Sequence, residues 1–212
     1  MKNILIMGPQ GSGKGTQAKK LAQKYKLKVI SSGDILREEV KKRTSIGRKI
    51  DLKSGRLVPD EIIIEIIMDE LKERGKNFIL DGFPRNKNQA RALETFLTER
   101  KSPLTVIALK LDNKTAIERI GGRRICPRCG KIYHLDNNPP KNKGVCDECG
   151  DKLIQRKDDH AESIRKRLGI YRRSTAPLLD FFRQFDNVAV REIDASKEID
   201  KVFKQIILKI RV

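Results

Sequence analysis

The 212-residue sequence contains no tryptophan, and its three tyrosines and seven phenylalanines make up only 5% of the chain. Since 38% of the residues are hydrophobic, a core is possible, but Ile, Leu and Val must form most of it. The sequence also lacks any apolar run near the roughly 20 residues that a membrane-spanning helix requires. The apolar stretch 4–7, before the first glycine-rich segment, is too short for a signal peptide. These absences predict a cytoplasmic protein without a membrane partner.

Acidic side chains are scarce relative to basic ones, since 28 Asp and Glu residues face 47 Lys and Arg residues, for a net charge of +19. Such an excess attracts nucleic acid, anionic lipid or a small polyanionic substrate. The basic residues are spread along the chain, and positions such as Lys19, Lys24 and Lys28 fit the solvated sides of amphipathic elements. A solubilising role is therefore also compatible with the charge, which does not by itself define a partner.

Short apolar runs alternate with helical patterns along most of the chain. Apolar runs bounded by charged or turn residues predict strands at 3–7, 28–31, 77–81, 105–111 and 188–193. Helical periodicity predicts helices at 14–25, 33–43, 60–74, 86–101, 113–121, 158–183 and 197–210. This alternation predicts an α/β fold whose parallel sheet is covered by helices on both faces. The segment 122–159 is rich in Cys, Pro, Gly and Asn, lacks a helical period, and is expected to be an inserted module.

Residues 8–16 read Gly-Pro-Gln-Gly-Ser-Gly-Lys-Gly-Thr and lie between a predicted strand and a predicted helix. In that setting backbone N–H groups and a helix N-terminus can bind a polyphosphate, and glycines let the chain approach the anion closely. Lys14 supplies a positive charge for the terminal phosphates. The strict P-loop pattern has Ser or Thr directly after the lysine, whereas this chain has Gly15 there and Thr16 next. An ordinary glycine-rich turn fits this context less well, so the segment predicts a nucleotide site.

The only cysteines form two C-x-x-C pairs, Cys126 with Cys129 and Cys146 with Cys149. Two such pairs are typical of a zinc ribbon, in which four thiolates bind one ion tetrahedrally. Because the protein fills all four positions, we expect the zinc to be structural. The alternatives are two disulfides, which a cytosolic location disfavours, a redox pair, a [4Fe–4S] cluster or another divalent metal. His134, nearby in the sequence, is expected to be a surface residue and not a ligand.

A predicted strand ends in an acidic residue within the segment 79–85, Ile-Leu-Asp-Gly-Phe-Pro-Arg. An aspartate at the end of a strand beside a phosphate loop can orient hydrated Mg²⁺ through water. This is the role expected for Asp81. The alternative is that Asp81 only caps the next element of the chain.

Arginines are concentrated on both sides of the inserted module, at positions 119, 123, 124, 156, 165 and 167. A guanidinium group binds phosphate through two parallel hydrogen bonds and keeps its charge, which suits a site that holds several phosphates together. Each arginine alone could be a surface residue, but their grouping favours anion binding. The segment 31–37, Ser-Ser-Gly-Asp-Ile-Leu-Arg, could form a further anion site at a helix N-terminus, or only an N-cap beside a solvated arginine.

Together these segments resemble adenylate kinases of the long-lid, zinc-bearing bacterial type over nearly the whole chain. The matching segments are 8–18, 32–37, 55–60, 81–85 with Gln89, 122–124, 156–159 and 165–167. The order Asp-Gly-Phe-Pro-Arg is highly specific, and glycine after the P-loop lysine is usual in that family. Two positions depart from the pattern. Ser32 stands where threonine is common, and the segment 195–197, Ala-Ser-Lys, replaces the more usual Gly-Thr-Lys.

The resemblance implies a P-loop three-layer α/β fold with a five-stranded parallel sheet, a helical AMP-binding insertion and a zinc-ribbon lid. It implies a core of residues 1–30, 61–121 and 160–212, an AMP-binding domain of residues 31–60 and a lid of residues 122–159. The implied reaction is reversible transfer of the terminal phosphoryl group of Mg·ATP to AMP, giving two ADP. The implied protein is a cytoplasmic monomer whose partners are these nucleotides and not nucleic acid.

The resemblance also implies roles for individual residues. Those that would bind ATP are Gly11, Ser12, Gly13, Lys14, Gly15, Thr16, Arg119, Arg123, Ile132, Tyr133 and Lys197. Those that would bind AMP are Ser32, Arg37, Arg56, Leu57, Val58, Gly82, Phe83, Pro84, Arg85, Gln89, Arg156 and Arg167. The catalytic set would be Lys14, Arg85, Arg123, Arg156 and Arg167. Structural Zn²⁺ would be held by Cys126, Cys129, Cys146 and Cys149, and Mg²⁺ would be oriented through water by Asp81.

Two other functions are compatible with parts of the sequence. A nucleoside monophosphate kinase that acts on UMP, CMP or GMP, or uses GTP as donor, would share the P-loop, although the long insertion favours an adenylate kinase. A zinc-ribbon nucleic-acid binder would account for the charge of +19, but the insertion offers only Tyr133 for stacking on bases.

Overall fold

The computed structural model describes residues 2–45, 47–49, 59–156 and 159–210. The strands are β1 Ile4–Met7, β2 Lys28–Ser31, β3 Phe78–Asp81, β4 Leu104–Lys110, β5 Arg123–Ile125, β6 Ile132–His134 and β7 Val188–Asp194. Five of them form a sheet in the order β2–β3–β1–β4–β7, in which every neighbouring pair is parallel. The prediction of an α/β fold with a parallel sheet is confirmed, and each predicted strand is found within one residue of its expected bounds.

Helices connect the strands, as parallel neighbours require. They are α1 Lys14–Tyr25, α2 Ser32–Lys42, α3 Asp60–Arg74, α4 Lys87–Glu99, α5 Asn113–Gly121, α6 Ala161–Ile170, α7 Leu178–Phe182 and α8 Ile199–Ile210, with a 3₁₀ turn at Gly47–Lys49. No helix in the described ranges is both long and apolar enough to cross a membrane.

The two faces of the sheet bury different helices because side chains alternate along each strand. In β1, Leu5 and Met7 pack into a cluster with residues of α2, α3, α4 and α7. Ile4 and Ile6 point to the other face and pack against residues of α1 and α8. The sheet is therefore the middle of three layers, and Ile, Leu and Val supply most of its core, as the scarcity of aromatic residues predicts.

The predicted helix at 158–183 is wrong as a single element. The chain forms α6, then a π-helical turn at Tyr171–Thr175, and then the short α7. In the turn, the Ala176 N–H bonds to the Tyr171 carbonyl oxygen at 2.8 Å, one residue further back than in an α-helix. Pro177 comes next and lacks an N–H, so a regular helix cannot continue through it. Periodicity alone does not register this change of pitch.

The inserted module has its own small structure. Its strands β5 and β6 pair antiparallel, and an isolated bridge joins Ile125 to Ile154. Among the described residues of the module, the buried hydrophobic side chains are Cys126, Tyr133, Cys146 and Leu153. With so few buried groups, the module has little hydrophobic core of its own, which makes a metal a reasonable source of stability.

Candidate active site

The carboxyl ends of the parallel strands meet in one cleft with a volume of about 1470 Å³. Gly8 comes after β1, Ser32 comes after β2 and Asp81 ends β3, and all three residues line this cleft. The register brings them together, because Asp81 lies beside Ile6 of β1 and beside Ser31 of β2. Helices α1 and α2 begin at the same edge, and helix N-termini favour anions. Open parallel sheets bind their ligands at this edge.

The phosphate loop, residues 8–13, depends on glycine at its sharpest turns. Gly11 has φ +81°, and a Cβ there would lie 2.8 Å from the Ala116 carbonyl oxygen. Gly13 has φ +83° and directly precedes α1, so it turns the chain into the helix. The Ser12 hydroxyl oxygen is buried and has no hydrogen-bond partner in the described part of the chain. A buried polar atom of this kind is expected to be satisfied by a ligand or by water.

Lys14, the first residue of α1, is held by the loop that precedes it. Its Nζ donates hydrogen bonds to the Gly8 and Pro9 carbonyl oxygens, each at 2.8 Å. Burial lowers the pKa of Lys14 to about 8; the Asp81 carboxylate opposes this shift, whereas three nearby arginines add to it. A bound phosphate would supply negative charge and favour the charged ammonium form.

Asp81 lies next to the loop at the end of β3. A Cβ on Gly15 would lie 3.4 Å from Asp81 Oδ2, so the glycine after the P-loop lysine leaves this carboxylate uncovered. The pKa of Asp81 is raised above its ordinary value, because the effect of burial exceeds the opposing effect of the Lys14 and Arg85 charges. The alternative role as a cap for the next helix is excluded, because the Asn86 side chain caps α4. Carboxylate oxygen is a ligand or water acceptor that suits Mg²⁺, so Asp81 fits the role expected for it.

The loop 81–85 lies against the start of α2. Gly82 has φ +83°, and a Cβ there would lie 2.7 Å from Ser32 Oγ, so the two segments approach this closely only with glycine. The Ser32 hydroxyl is buried and has no hydrogen-bond partner among the described residues. Arg85 lines the cleft, and its Nε donates to the Gly82 carbonyl oxygen at 2.7 Å. This arrangement places one guanidinium group, of Arg85, and one hydroxyl group, of Ser32, on the side of the cleft formed by the loop 81–85 and the start of α2.

Arg37 lies one helical turn into α2 and also lines the cleft. Its Nη2 donates to Asp34 Oδ1 at 2.5 Å. Burial raises the pKa of Asp34, but the hydrogen bond and charge of Arg37, with a smaller contribution from Arg156, bring it below its ordinary value. The segment 31–37 is both an N-cap, because Ser31 accepts from the Asp34 N–H, and part of the cleft.

Several residues expected at the AMP site bond to the protein itself. Phe83 is 1% exposed and packs in the core, and Pro84 comes after it in a cis peptide. Gln89 Oε1 accepts from the Arg85 N–H at 2.8 Å, and its Nε2 donates to Asp60 Oδ1 at 2.8 Å. These side chains therefore fix the main chain around Arg85. Three further residues predicted for this site lie outside the described part of the chain: Arg56, Leu57 and Val58.

A buried carboxylate holds two of the predicted arginines. The Nε and Nη2 of Arg123 donate to the two oxygens of Asp159 at 2.8 and 2.5 Å, and Arg167 Nη2 donates to Asp159 Oδ1 at 3.3 Å. The Asp159 side chain has no exposed surface, whereas those of Arg123 and Arg167 are 21% and 15% exposed. Arg156 lines the same cleft. Asp159 is not among the site residues predicted from the sequence, although its position as an acidic residue beside the basic segment 156–157 was a signal.

The loop between β7 and α8 lines the far end of the cleft. Arg119 donates to the Ala195 and Ser196 carbonyl oxygens at 2.7 and 2.6 Å, so it supports this loop. Gln17 Nε2 donates at 2.9 Å to a carbonyl oxygen at the start of α8. Lys197 lies in the loop and borders the cleft. Arg119 thus connects the loop to α5, and Gln17 connects the start of α8 to α1.

The inserted module contributes Ile132 and Tyr133 to the cleft lining. Tyr133 is only 2% exposed, its hydroxyl accepts from the Asp147 N–H at 2.8 Å, and it lies 3.5 Å from Cys146 Sγ. The tyrosine ring therefore belongs to the core of the module.

The four cysteines come together as two pairs across the module. All four sulfurs lie within 4.8 Å of one another, with 3.4 Å between Cys126 and Cys149 Sγ and 3.5 Å between Cys129 and Cys146 Sγ. Tetrahedral zinc with bonds of about 2.3 Å separates its sulfurs by about 3.8 Å. The thiols are free and not disulfide-bonded. The donor set and its spacing fit a tetrahedral metal held entirely by thiolates.

His134 is not the surface residue that was expected. Its side chain is 15% exposed, and its Nδ1 accepts from the Asp136 and Asn137 N–H groups at 3.1 and 3.2 Å. The ring lies against Gly122, where a Cβ would be 2.4 Å from His134 Nε2. The cysteine cluster does not include it. The close packing on a glycine, which sequence periodicity does not show, explains its burial.

Comparison with known proteins agrees with this geometry. A family model described as adenylate kinase matches residues 6–187. An adenylate kinase from Clostridium novyi is 44% identical over 208 residues, covering 96% of this chain and 95% of that protein. Adenylate kinases from Thermococcus kodakarensis and Caldanaerobacter subterraneus subsp. tengcongensis are 44% and 45% identical, each over 96% of this chain and over 92% and 93% of their own length. The chain therefore belongs to the adenylate kinase family.

Proposed function

We propose that this adenylate kinase performs its phosphoryl transfer, from Mg·ATP to AMP with formation of two ADP, in the cleft at the carboxyl edge of the sheet. One observation carries the proposal, namely that a single cleft joins the phosphate loop, the start of α2 and the guanidinium groups next to the inserted module. The AMP phosphate is a nucleophile near neutral pH, so no general base is needed. The protein must hold two mutually repelling anions in line and neutralise charge on the transferring group.

The donor side is assigned to the phosphate loop and its neighbours. Backbone N–H groups of residues 11–16 would bind the ATP phosphates, with Lys14 and Arg123 as their positive partners. The partnerless Ser12 hydroxyl supports this assignment. Ile132, Tyr133 and Lys197 would contact the nucleoside. Because the Tyr133 ring is buried in the module, Tyr133 would do so through its main chain, as would Lys197. Arg119 would contribute by supporting the loop that carries Lys197.

The acceptor side is assigned to the start of α2 and the loop 81–85. Arg37 and Arg85 would bind the AMP phosphate, and the buried Ser32 hydroxyl would donate to it. Arg56, Leu57 and Val58 remain predicted parts of this side. Arg156 and Arg167 would interact with both phosphates and stabilise the charge on the moving phosphoryl group.

Mg²⁺ would accompany ATP, with Asp81 accepting hydrogen bonds from the water molecules of the ion. When bound, the ion would neutralise charge on the transferring phosphoryl group. The chain contributes the position of the Asp81 carboxylate, which β3 and Gly15 leave open beside Lys14.

The acceptor nucleotide is tested by mixing the purified protein with Mg·ATP and, separately, AMP, GMP, CMP or UMP, and by measuring diphosphate formation. We expect rapid formation of ADP with AMP and at most slow reactions with the others. Rapid turnover with UMP, CMP or GMP would assign a different acceptor to the same cleft. The nucleic-acid alternative is less consistent with the geometry, because the Tyr133 ring is buried in the module and cannot stack on bases.

The affinity for ATP should depend on pH through Lys14. The free protein loses the Lys14 proton near pH 8, whereas bound phosphate keeps the ammonium charged. Affinity should therefore be constant below about pH 7.5 and weaken towards tenfold per pH unit above about pH 8. Calorimetric titration with Mg·ATP between pH 6.5 and 9.5 measures this. Lys14→Arg keeps its charge throughout, so a variant with the same pH dependence as the wild type would exclude Lys14 as the cause.

We infer that the cysteine cluster holds structural zinc and that residues 122–159 form a lid over the nucleotides. A closed lid would exclude water, which could otherwise accept the terminal phosphoryl group. Residues 31–60 would form the second mobile domain on a core of residues 1–30, 61–121 and 160–212. We further propose a monomer located in the cytoplasm, where a reducing environment suits cysteines that are not disulfide-bonded.

Removal of zinc should loosen the lid without removing the catalytic groups. We expect a chelator to lower the melting temperature by roughly 10 °C, equivalent to about 3 kcal/mol in a chain of this size. The initial rate at low temperature should change much less. The chelator is removed before Mg·ATP is added, and differential scanning fluorimetry and ADP formation, with zinc added back as control, then measure both effects. Complete loss of activity in a chelated protein that is still folded would contradict a purely structural metal.

A further inference from the structure

Thr175 lies where the α6–α7 segment meets the loop 81–85. It is 8% exposed and is the last residue of the π-helical turn Tyr171–Thr175. Its hydroxyl donates a hydrogen bond to the Arg85 carbonyl oxygen at 2.7 Å, between residues 90 positions apart in the sequence. A threonine inside a helix usually bonds to a carbonyl of its own preceding turn. Here the Thr175 hydroxyl bonds to the loop 81–85 and not to its own helix. Thr175 is not among the site residues predicted from the sequence.

The main chain of Arg85 is consequently held at both of its polar groups. Gln89 accepts from the Arg85 N–H at 2.8 Å, and Thr175 donates to the Arg85 carbonyl oxygen at 2.7 Å. The Arg85 Nε then bonds to the Gly82 carbonyl oxygen at 2.7 Å. The guanidinium group therefore extends into the cleft from a backbone that cannot shift without breaking one of these bonds.

The π-helical turn accounts for the direction of the Thr175 side chain. Its i→i+5 hydrogen bond, from the Ala176 N–H to the Tyr171 carbonyl oxygen, adds one residue to the turn and rotates the later residues relative to α6. The same helical segment carries Arg167 on α6. The Thr175–Arg85 hydrogen bond thus joins the backbone of one cleft arginine to the segment that carries another.

These two arginines repel each other across the cleft. Burial lowers the pKa of Arg85, the Asp81 carboxylate opposes that shift, and the neighbouring charge of Arg167 adds to it. Before an anion is bound, repulsion between like charges favours separation of the two segments. A hydrogen bond that joins the segments opposes this separation, so the cleft can hold both cations close together in advance of the substrate.

We propose that Thr175 is a positioning residue for phosphoryl transfer, whose hydroxyl fixes the main chain of Arg85 and thereby the spacing of the Arg85 and Arg167 guanidinium groups. The proposal rests on the role proposed above for Arg85 at the acceptor phosphate. Positioning of this kind affects the reaction strongly, because small displacements of charged groups lower the rate of an in-line transfer.

The test compares Thr175→Val, which keeps the shape but removes the hydroxyl, with Thr175→Ser, which keeps the hydroxyl. Thr175→Ala is a second hydroxyl-free variant, so the comparison does not depend on how the valine packs. Thr98→Val is the matched control, since the Thr98 hydroxyl bonds to Glu94 Oε1 at 2.7 Å on the exposed surface of α4. Steady-state kcat and KM are measured for AMP and for ATP, together with melting temperatures.

Both hydroxyl-free variants should lower kcat/KM for AMP by about tenfold, while KM for ATP stays within about twofold of the wild type. Thr175→Ser and Thr98→Val should both resemble the wild type. A lower melting temperature with unchanged AMP kinetics would reduce Thr175 to a packing role and overturn the proposal. Arg85→Lys distinguishes failure of the positioning role of Thr175 from failure of the acceptor role of Arg85. If Arg85→Lys is impaired while Thr175→Val has normal kinetics, only the positioning role is refuted. If both variants have normal kinetics, the acceptor role of Arg85 is refuted as well.

Discussion

Arg167→Met is expected to lower kcat by about 10³-fold and to leave the protein folded. Arg167 lines the cleft and is 15% exposed, so its charge acts where water is scarce. In the proposed reaction it stabilises negative charge on the moving phosphoryl group, and methionine has no charge with which to do so. ADP formation at saturating nucleotides measures kcat, and circular dichroism reports whether the helices persist.

Arg165→Met provides the matched control for this prediction. Arg165 lies on the same helix, carries the same charge and is exposed. Its removal should change kcat by less than about twofold, because an exposed charge is screened by solvent. If both variants lost activity equally, the loss would reflect the net charge of α6, and the specific role of Arg167 would be refuted.

Asp159→Asn should lower kcat by about 10²-fold and also destabilise the free protein. The Asp159 carboxylate is fully buried and accepts hydrogen bonds from both Arg123 and Arg167. Without its charge, two partly buried guanidinium groups lose the anion that they share, and breaking a buried pair costs up to about 3–5 kcal/mol. The same change misplaces the groups that bind phosphate, and a displacement near 1 Å is enough for a loss of about 10²-fold.

The dependence of stability on nucleotide distinguishes this role from simple packing. ATP phosphates would replace the missing negative charge, so Mg·ATP should raise the melting temperature of Asp159→Asn more than that of the wild type. Asp136→Asn is the control, since the Asp136 side chain in the same module is 86% exposed. An equal effect of nucleotide on all three proteins would exclude Asp159 as the partner that holds the arginines for phosphate.

The sequence predicts the sheet well because its strands are short and largely apolar runs, most completely buried in β1, β3 and β4, that are bounded by charged or turn residues. The phosphate loop and the cysteine pairs are equally local, since each requires particular residue types at fixed spacing. The family resemblance extends these patterns to the cleft arginines. Local sequence patterns do not predict which other residue a side chain contacts in the fold. The packing of His134 against Gly122 is an example.

The contacts that local sequence patterns do not show mostly join distant segments, although Gln89 and Arg85 are only four positions apart. Gln89 bonds to the Arg85 main chain and to Asp60, and Thr175 reaches Arg85 from a turn whose pitch differs from the α-helix around it. A periodicity of 3.6 residues cannot show a π-helical turn, because one added residue changes the direction of every side chain after it. Asp159 was visible in the sequence, but its partners become evident only when β5 and α6 are adjacent.

The most direct test of the proposed site traces the fate of the terminal phosphoryl group of ATP. The protein is mixed with Mg·ATP labelled in its γ-phosphate and with unlabelled AMP, and the products are separated after partial reaction. Transfer within a closed cleft predicts that the label appears in ADP, with one labelled ADP formed for each AMP consumed and little inorganic phosphate. Release of most of the label as inorganic phosphate, or retention of the label in ATP, would contradict the transfer that we assign to this cleft.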